Sequence, residues 1–269
     1  MTSTDRRARR TTRLVALCVA GAAALVCAVP RPARGFGDRG AFDPRTLVAG
    51  GVTRAPRPTA AARWSWELIQ RTSAPARLQP TTVRADASDL PNAPFAVWSG
   101  DVAAEPLTAG ELSGLRRYFA LGGVLLVDDA GVTDAGEPGP FGRSARRELS
   151  RVLPDSARIS LGPEHVLFRS YYLLRRAEGR VLGPKNVEAI VRGGQAQVLF
   201  LSHDLGGALA RGVTGAWEHP VVPNGDGQRE HAVRLAVNIA MYVLCSTYKD
   251  DQVHAPFLMR RRALVGGPP

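Results

Sequence analysis

Gly122-Gly-Val-Leu-Leu-Val-Asp-Asp129 decides how the rest of the sequence is read. Val124 to Val127 are four consecutive apolar residues with no polar alternation, the pattern of a strand covered on both faces. Such strands belong to parallel sheets flanked by helices. Ahead of the run, Thr108-Ala-Gly-Glu111 has the spacing of a capping box. The helix it opens carries Leu112, Leu115, Tyr118 and Phe119 on one side, and Gly122-Gly123 end it.

The same alternation continues in both directions. Thr46–Ala49, Thr81–Arg84, Phe95–Ser99 and Ala196–Ser202 read as strands. Ala60–Arg71 reads as a helix, with Trp64, Leu68 and Ile69 at helical spacing. Ser144–Leu153, stopped by Pro154, and Arg229–Cys245 are two more. The sequence therefore predicts an α/β fold with a mostly parallel sheet covered on both sides over residues 40–247. The longest loops are expected at Gly136–Gly142 and Gly212–Gly227, and residues 248–269 read as a basic C-terminal tail.

Residues 1–35 read as an export segment. Arg6 to Arg13 are strongly basic, Leu14 to Val29 are apolar and small, and a polar, proline-containing stretch follows, the order of a secretory signal. Small residues permit cleavage after Ala28 or Gly35. Uncleaved, the segment would anchor the chain in a membrane. The formal charge of +11 is concentrated here: this segment carries +6 and leaves +5 for the rest. No nucleic-acid-binding motif accompanies that mild surplus, so nucleic acid is not an expected partner. The Arg260-Arg261-Arg262 triplet reads as a solvated tail or as a contact for anionic lipid. Cys18 and Cys27 lie in the signal, so Cys245 is the one cysteine of the mature domain, and its apolar helical setting predicts a buried, inert thiol.

Ligands of open parallel sheets bind beyond the carboxyl ends of the strands. Three of the expected strands end there in polar residues: Ser99-Gly100-Asp101, Asp128-Asp129, and Ser202-His203-Asp204. Glu164 and His165 follow the Gly162-Pro163 turn and could close a cleft from the side. Carboxylates with imidazoles can do acid–base work, which makes Asp128, Asp129, His165, His203 and Asp204 the candidate catalytic residues. Ser99, Asp101 and Glu164 are the candidate ligand contacts. The same acids read equally well as caps of the helices that follow. No H-x-H or H-E-x-x-H spacing is present, so no metal is assigned, and no cofactor is expected. No Walker loop, G-x-G-x-x-G or G-x-S-x-G motif occurs.

Five stretches together carry a family resemblance: Tyr118–Asp129, Phe141–Pro154, Pro163–Tyr172, Ser202–Gly206 and Arg229–Leu244. They resemble the bacterial domain-of-unknown-function family 4159 over roughly residues 40–246. The resemblance implies a flavodoxin-like sheet, as in class I glutamine amidotransferases, arranged as a three-layer sandwich. It also implies a link to MoxR-type ATPase systems and to protein partners of the cell envelope. It implies no known reaction. Amidotransferases need a cysteine nucleophile on the turn after a buried strand, and here that turn is Asp128-Asp129. The leading expectation is thus an exported, periplasmic or secreted, non-amidotransferase domain that binds a ligand or partner. The rival is a hydrolase using the Asp/His cluster, with or without a metal.

Overall fold

The computed structural model describes the backbone of residues 40–265 and the side chains of residues 40–246. The expected export segment and the side chains of the C-terminal tail lie outside the described residues.

Seven strands form one sheet: β1 (Arg45–Val48), β2 (Thr82–Arg84), β3 (Phe95–Gly100), β4 (Val124–Asp129), β5 (Arg158–Leu161), β6 (Val187–Arg192) and β7 (Gln195–Leu201). Their order is β2-β1-β3-β4-β7-β6-β5. The first five in that order are parallel, and β6 runs antiparallel to both β7 and β5. β4 is central and every one of its residues is buried. Side-chain alternation divides it: Val124 and Leu126 enter one core, Leu125 and Val127 the other.

Five helices complete three layers: α1 (Ala60–Thr72), α2 (Ala109–Ala120), α3 (Pro140–Val152), α4 (Leu205–Leu209) and α5 (Gly225–Val265). α1, α4 and α5 pack on the face of Val124, and α2 and α3 on the face of Val127. The capping box at α2 is present in both directions: Glu111 N–H donates to Thr108 Oγ1, and Thr108 N–H donates to Glu111 Oε2. Asn238 pins α5 to the segment after β5. Its Oδ1 accepts from Tyr172 N–H at 2.7 Å, while Nδ2 donates to the carbonyls of Leu167 and Tyr172. Among the described residues no helix is long and apolar enough to cross a membrane.

The structure departs from the sequence reading at four points. α3 begins at Pro140, inside the stretch expected to be a loop, because proline at the first helical position needs no amide partner. β5 and β6 form an antiparallel pair at one edge that the apolar pattern does not show. α5 starts at Gly225, within the second expected loop, and its backbone is helical through Val265, past the Cys245 end that the sequence pattern gives. Cys245 is exposed, not buried. It lies two positions after Val243, about 200° round the helix from that buried residue and off the stripe facing the sheet.

Candidate functional site

Register places the chemistry. Ser99 is paired with Asp128 across β3 and β4, and Asp128 with Leu201 across β4 and β7. Ser202-His203-Asp204 therefore emerge at the same carboxyl edge as Asp128-Asp129. Pleating separates neighbours. Ser99 and Asp128 face the α1–α4–α5 layer, whereas Gly100 and Asp129 face α3.

On the first of these faces lies a cleft of about 920 Å³. Its walls are the 50–58 loop after β1 and residues 100–103 after β3. Thr46, Val97 and Ser99 line it between them, and Asp128 and Gly206 lie toward β7. Here strand order reverses, since the chain passes from β1 to β2 on one side and then to β3 on the other. This is the switch point at which flavodoxin-like sheets place ligands. Ser99 is 7% exposed, and its hydroxyl has no hydrogen-bond partner among the described residues. A buried hydroxyl left unmatched costs free energy that a ligand's polar group would recover.

Asp128 lies at the start of α4. Its Oδ1 accepts from Leu205 N–H and its Oδ2 from Gly206 N–H, both at 2.8 Å. Those bonds favour the carboxylate. Burial and, next, the charge of Asp204 outweigh them and push the Asp128 carboxyl up to about 7. Asp204 itself is fully buried in a left-handed backbone conformation (φ 50°) and accepts from Gly207 N–H at 2.9 Å. Two arginines neutralise it: Arg57 donates from Nε at 3.2 Å and Nη2 at 2.9 Å, and Arg180 donates from Nε at 2.5 Å. Burial alone would lower the Arg57 guanidinium. The hydrogen bond to Asp204 and the charges of Asp204, Asp128 and Asp101 hold it above its ordinary value.

Asp129 is on the other face and works as a clamp. It accepts from Gly139 N–H at the start of α3 at 2.7 Å and from Gly131 N–H at 3.2 Å, and burial raises its carboxyl. His203 is 1% exposed. Its Nε2 meets the Pro184 carbonyl at 2.8 Å, which assigns the proton to that nitrogen, and Nδ1 has no partner among the described residues. Burial lowers the imidazole to about 4, so the ring is neutral at pH 7. It borders a second, smaller hollow of about 220 Å³, on the other side of β7 with Arg146, Glu188 and Ser202.

Ser99, Asp101 and Asp128 thus share the cleft, with Asp204 behind it through Arg57. Asp129 and His203 lie at the same edge but outside that cleft. Glu164 and His165 do not join the group. They follow β5, three strands from β4 and so about 14 Å away. His165 Nδ1 accepts from Leu167 N–H, and the ring packs near Tyr242 of α5. Among the described residues no three His, Cys, Asp or Glu side chains are grouped to hold a metal ion.

The residues that sequence reasoning missed are the cations. Arg57 sits in the proline-rich stretch 54–58, which reads as a plain loop, and Arg180 in the irregular segment 169–186. A buried acid demands a partner, yet nothing in the spacing of Asp204 indicates which arginine supplies it.

Residues 46–244 match the family model described as "Domain of unknown function (DUF4159)", and the chain belongs to that family. A search of curated proteins finds no match.

Proposed function

Taking that membership as the premise, we propose that this domain is an exported ligand- or partner-binding component of an envelope-associated, MoxR-ATPase-linked system, and that it binds through the β1–β3 cleft. One observation carries the binding reading: the unmatched, buried Ser99 hydroxyl in a cleft at the switch point of the sheet. The cleft's volume lies within the range of small-molecule sites. Its lining is mixed, with Val97, Trp64 and Leu209 beside Ser99, Asp101 and Arg57. Such a surface orients a polar organic ligand on an apolar bed. The strand-end acids support binding over catalysis, because Asp128, Asp129 and Asp204 all accept backbone N–H groups beside a helix start.

The test is a two-dimensional NMR screen of small polar fragments against the folded chain. Shifts should concentrate at residues 50–57 and 99–105 and disappear in Ser99→Leu, whose larger side chain occupies the cleft while thermal stability stays near wild type. Shifts scattered over the surface, or unchanged in the variant, would defeat the proposal.

A second reading, hydrolysis, is favoured by the Asp128 carboxyl. Pushed up to about 7 beside Ser99, it is placed to exchange a proton near neutral pH. The readings separate in Asp128→Asn. A binding module retains its fragment shifts, whereas a hydrolase loses turnover of ester and amide substrates that the wild type cleaves.

A further inference from the structure

Away from the cleft, an indole gathers three guanidinium groups. Trp217, half-buried in the connection from α4 to α5, has the Arg211 guanidinium carbon 3.6 Å from its ring centroid, Arg229 at 4.3 Å and Arg63 at 5.3 Å. Arg63 also lies 4.0 Å over Trp66. These cations come from α1, from the connection and from the first turns of α5.

Two of the three cations, Arg211 and Arg229, lack an acidic partner among the described residues, and Arg63 has one in Glu67. Glu67 is shared between Arg63 and Arg71. Glu218 lies toward His219, at 3.8 Å. Asp226 acts on Arg229 through charge and forms no ion pair among the described residues. Arg211 and Arg229 form none either. Arg211 donates to the Gly215 carbonyl at 2.6 Å, and Arg229 to those of Ala208 at 2.7 Å and His219 at 2.6 Å. Arg229 is 6% exposed, and the Nε atoms of all three arginines are buried without a partner. Burial, then repulsion from Arg63, lowers the Arg211 guanidinium, while burial opposed by Asp226 lowers Arg229, with Arg211 adding repulsion. The positive end of the long α5 helix adds to the same field.

An uncompensated buried cation is costly, and a counter-charge arriving from outside would relieve Arg211 and Arg229. We propose that the Arg63–Arg211–Trp217 surface is an oxyanion site of the phosphate class. Arg63 and Arg211, both partly exposed, keep guanidinium N–H groups beyond those bound to Glu67 and to the Gly215 carbonyl, and these can donate to phosphate oxygens. Arg229 lies beneath and contributes field, since both of its terminal nitrogens are engaged by backbone carbonyls. Trp217 holds the forks in place through its ring face. A dianion gains more than a single carboxylate among three cations, which selects phosphate over acetate-like groups.

The experiment uses the full chain at pH 7 and fixed ionic strength, with sodium phosphate, acetate or chloride as the salt. Phosphate at about tenfold its Kd should raise the melting temperature by about 3–5 °C, with acetate and chloride indistinguishable. Tryptophan fluorescence should change saturably with phosphate, because Trp217 and Trp66 border the site. Arg211→Gln should remove both effects. If that variant does not fold, Arg211→Lys, which keeps the charge and loses the fork, should weaken phosphate binding by tenfold or more. Equal melting temperatures in the three salts, no saturable fluorescence change, or wild-type phosphate binding by the variant that folds would overturn the proposal.

Discussion

Replacing Asp128 by Asn weighs burial against hydrogen bonding at a single carboxyl. Two N–H groups favour the charged form, while burial and Asp204 favour the neutral one and raise it to about 7. In the unfolded chain an aspartate titrates near 3.9. Between those values the folded protein holds a proton that the unfolded chain has released. The stability Asp128 contributes is therefore fully present below about pH 4 and is lost as pH rises toward about 7, at about 1.4 kcal/mol per pH unit. His203 runs the other way. Its folded value of about 4 lies below an unfolded value near 6.5, so it loses stability as pH falls through that interval.

The two slopes oppose each other in the wild type between about pH 4.5 and 6.5, and Asp128→Asn removes one of them. Urea unfolding followed by circular dichroism across that range gives the comparison. The stability difference, wild type minus variant, should fall by about 2 kcal/mol from the acid end to the neutral end. Asparagine also mismatches one of the two N–H groups, a constant cost of about 1–3 kcal/mol that drops out of the slope. The lowered histidines His165 and His219 are common to both proteins and cancel as well. Asp204→Asn, which removes the neighbouring charge, should shrink the wild-type Asp128 slope. Parallel pH curves for wild type and Asp128→Asn would refute the reasoning. Asp128 would then be ionised throughout, its two N–H partners outweighing burial.

Val127→Asp buries an unpartnered charge in the central strand at a position 1% exposed, and should cost several kcal/mol. A soluble variant with an unchanged melting temperature would show that β4 is not central to stability. Asn238→Ala leaves the amide of Tyr172 and the carbonyls of Leu167 and Tyr172 unmatched, so a loss of about 2–4 kcal/mol is expected by urea unfolding. A loss below about 0.5 kcal/mol would mean that the segment after β5 is held by packing alone. Export predicts a mature N-terminus between Val29 and Phe36. Mass spectrometry of protein from the native host finding Met1 or Thr2 on most molecules would defeat it.

The parts of the fold legible in the sequence are those where burial is one-sided or complete. Val124–Val127 and Val198–Leu201 are apolar because helices cover both faces of the sheet, and α2 is marked at its start by a local device, the Thr108–Glu111 box. Edge structure was not legible, for the same reason. β5 buries only Leu161, and the apolar residues of β6 are interrupted by Glu188, which pairs with Arg146 and Arg158, so neither shows a run as long as that of β4. α4 is five residues long and owes its start to Asp204 and to Asp128, the latter far away in sequence. A helix that depends on a distant cap has no local signature.

The candidate site shows the same limit from the other side. Parallel topology brings residues at strand ends to one edge whatever their separation in sequence, so Asp128 and Asp204 could be placed together before any coordinates. Whether a strand-end acid caps a helix or serves a ligand depends on what its oxygens accept, and the answer lies in amides and guanidiniums from other segments. Asp128 and Asp129 are adjacent and identical in type, yet pleating sends one toward α4 at the back of the cleft and the other to the start of α3. The informative residue is the serine opposite. Ser99 ends its strand in register with Asp128, faces the same layer, and is the member of that row whose hydroxyl lacks a partner among the described residues. An acid satisfied by backbone amides explains its own presence. A buried hydroxyl without a partner among the described residues is available to a group from outside the fold, and Ser99, rather than the carboxylates, carries the binding reading.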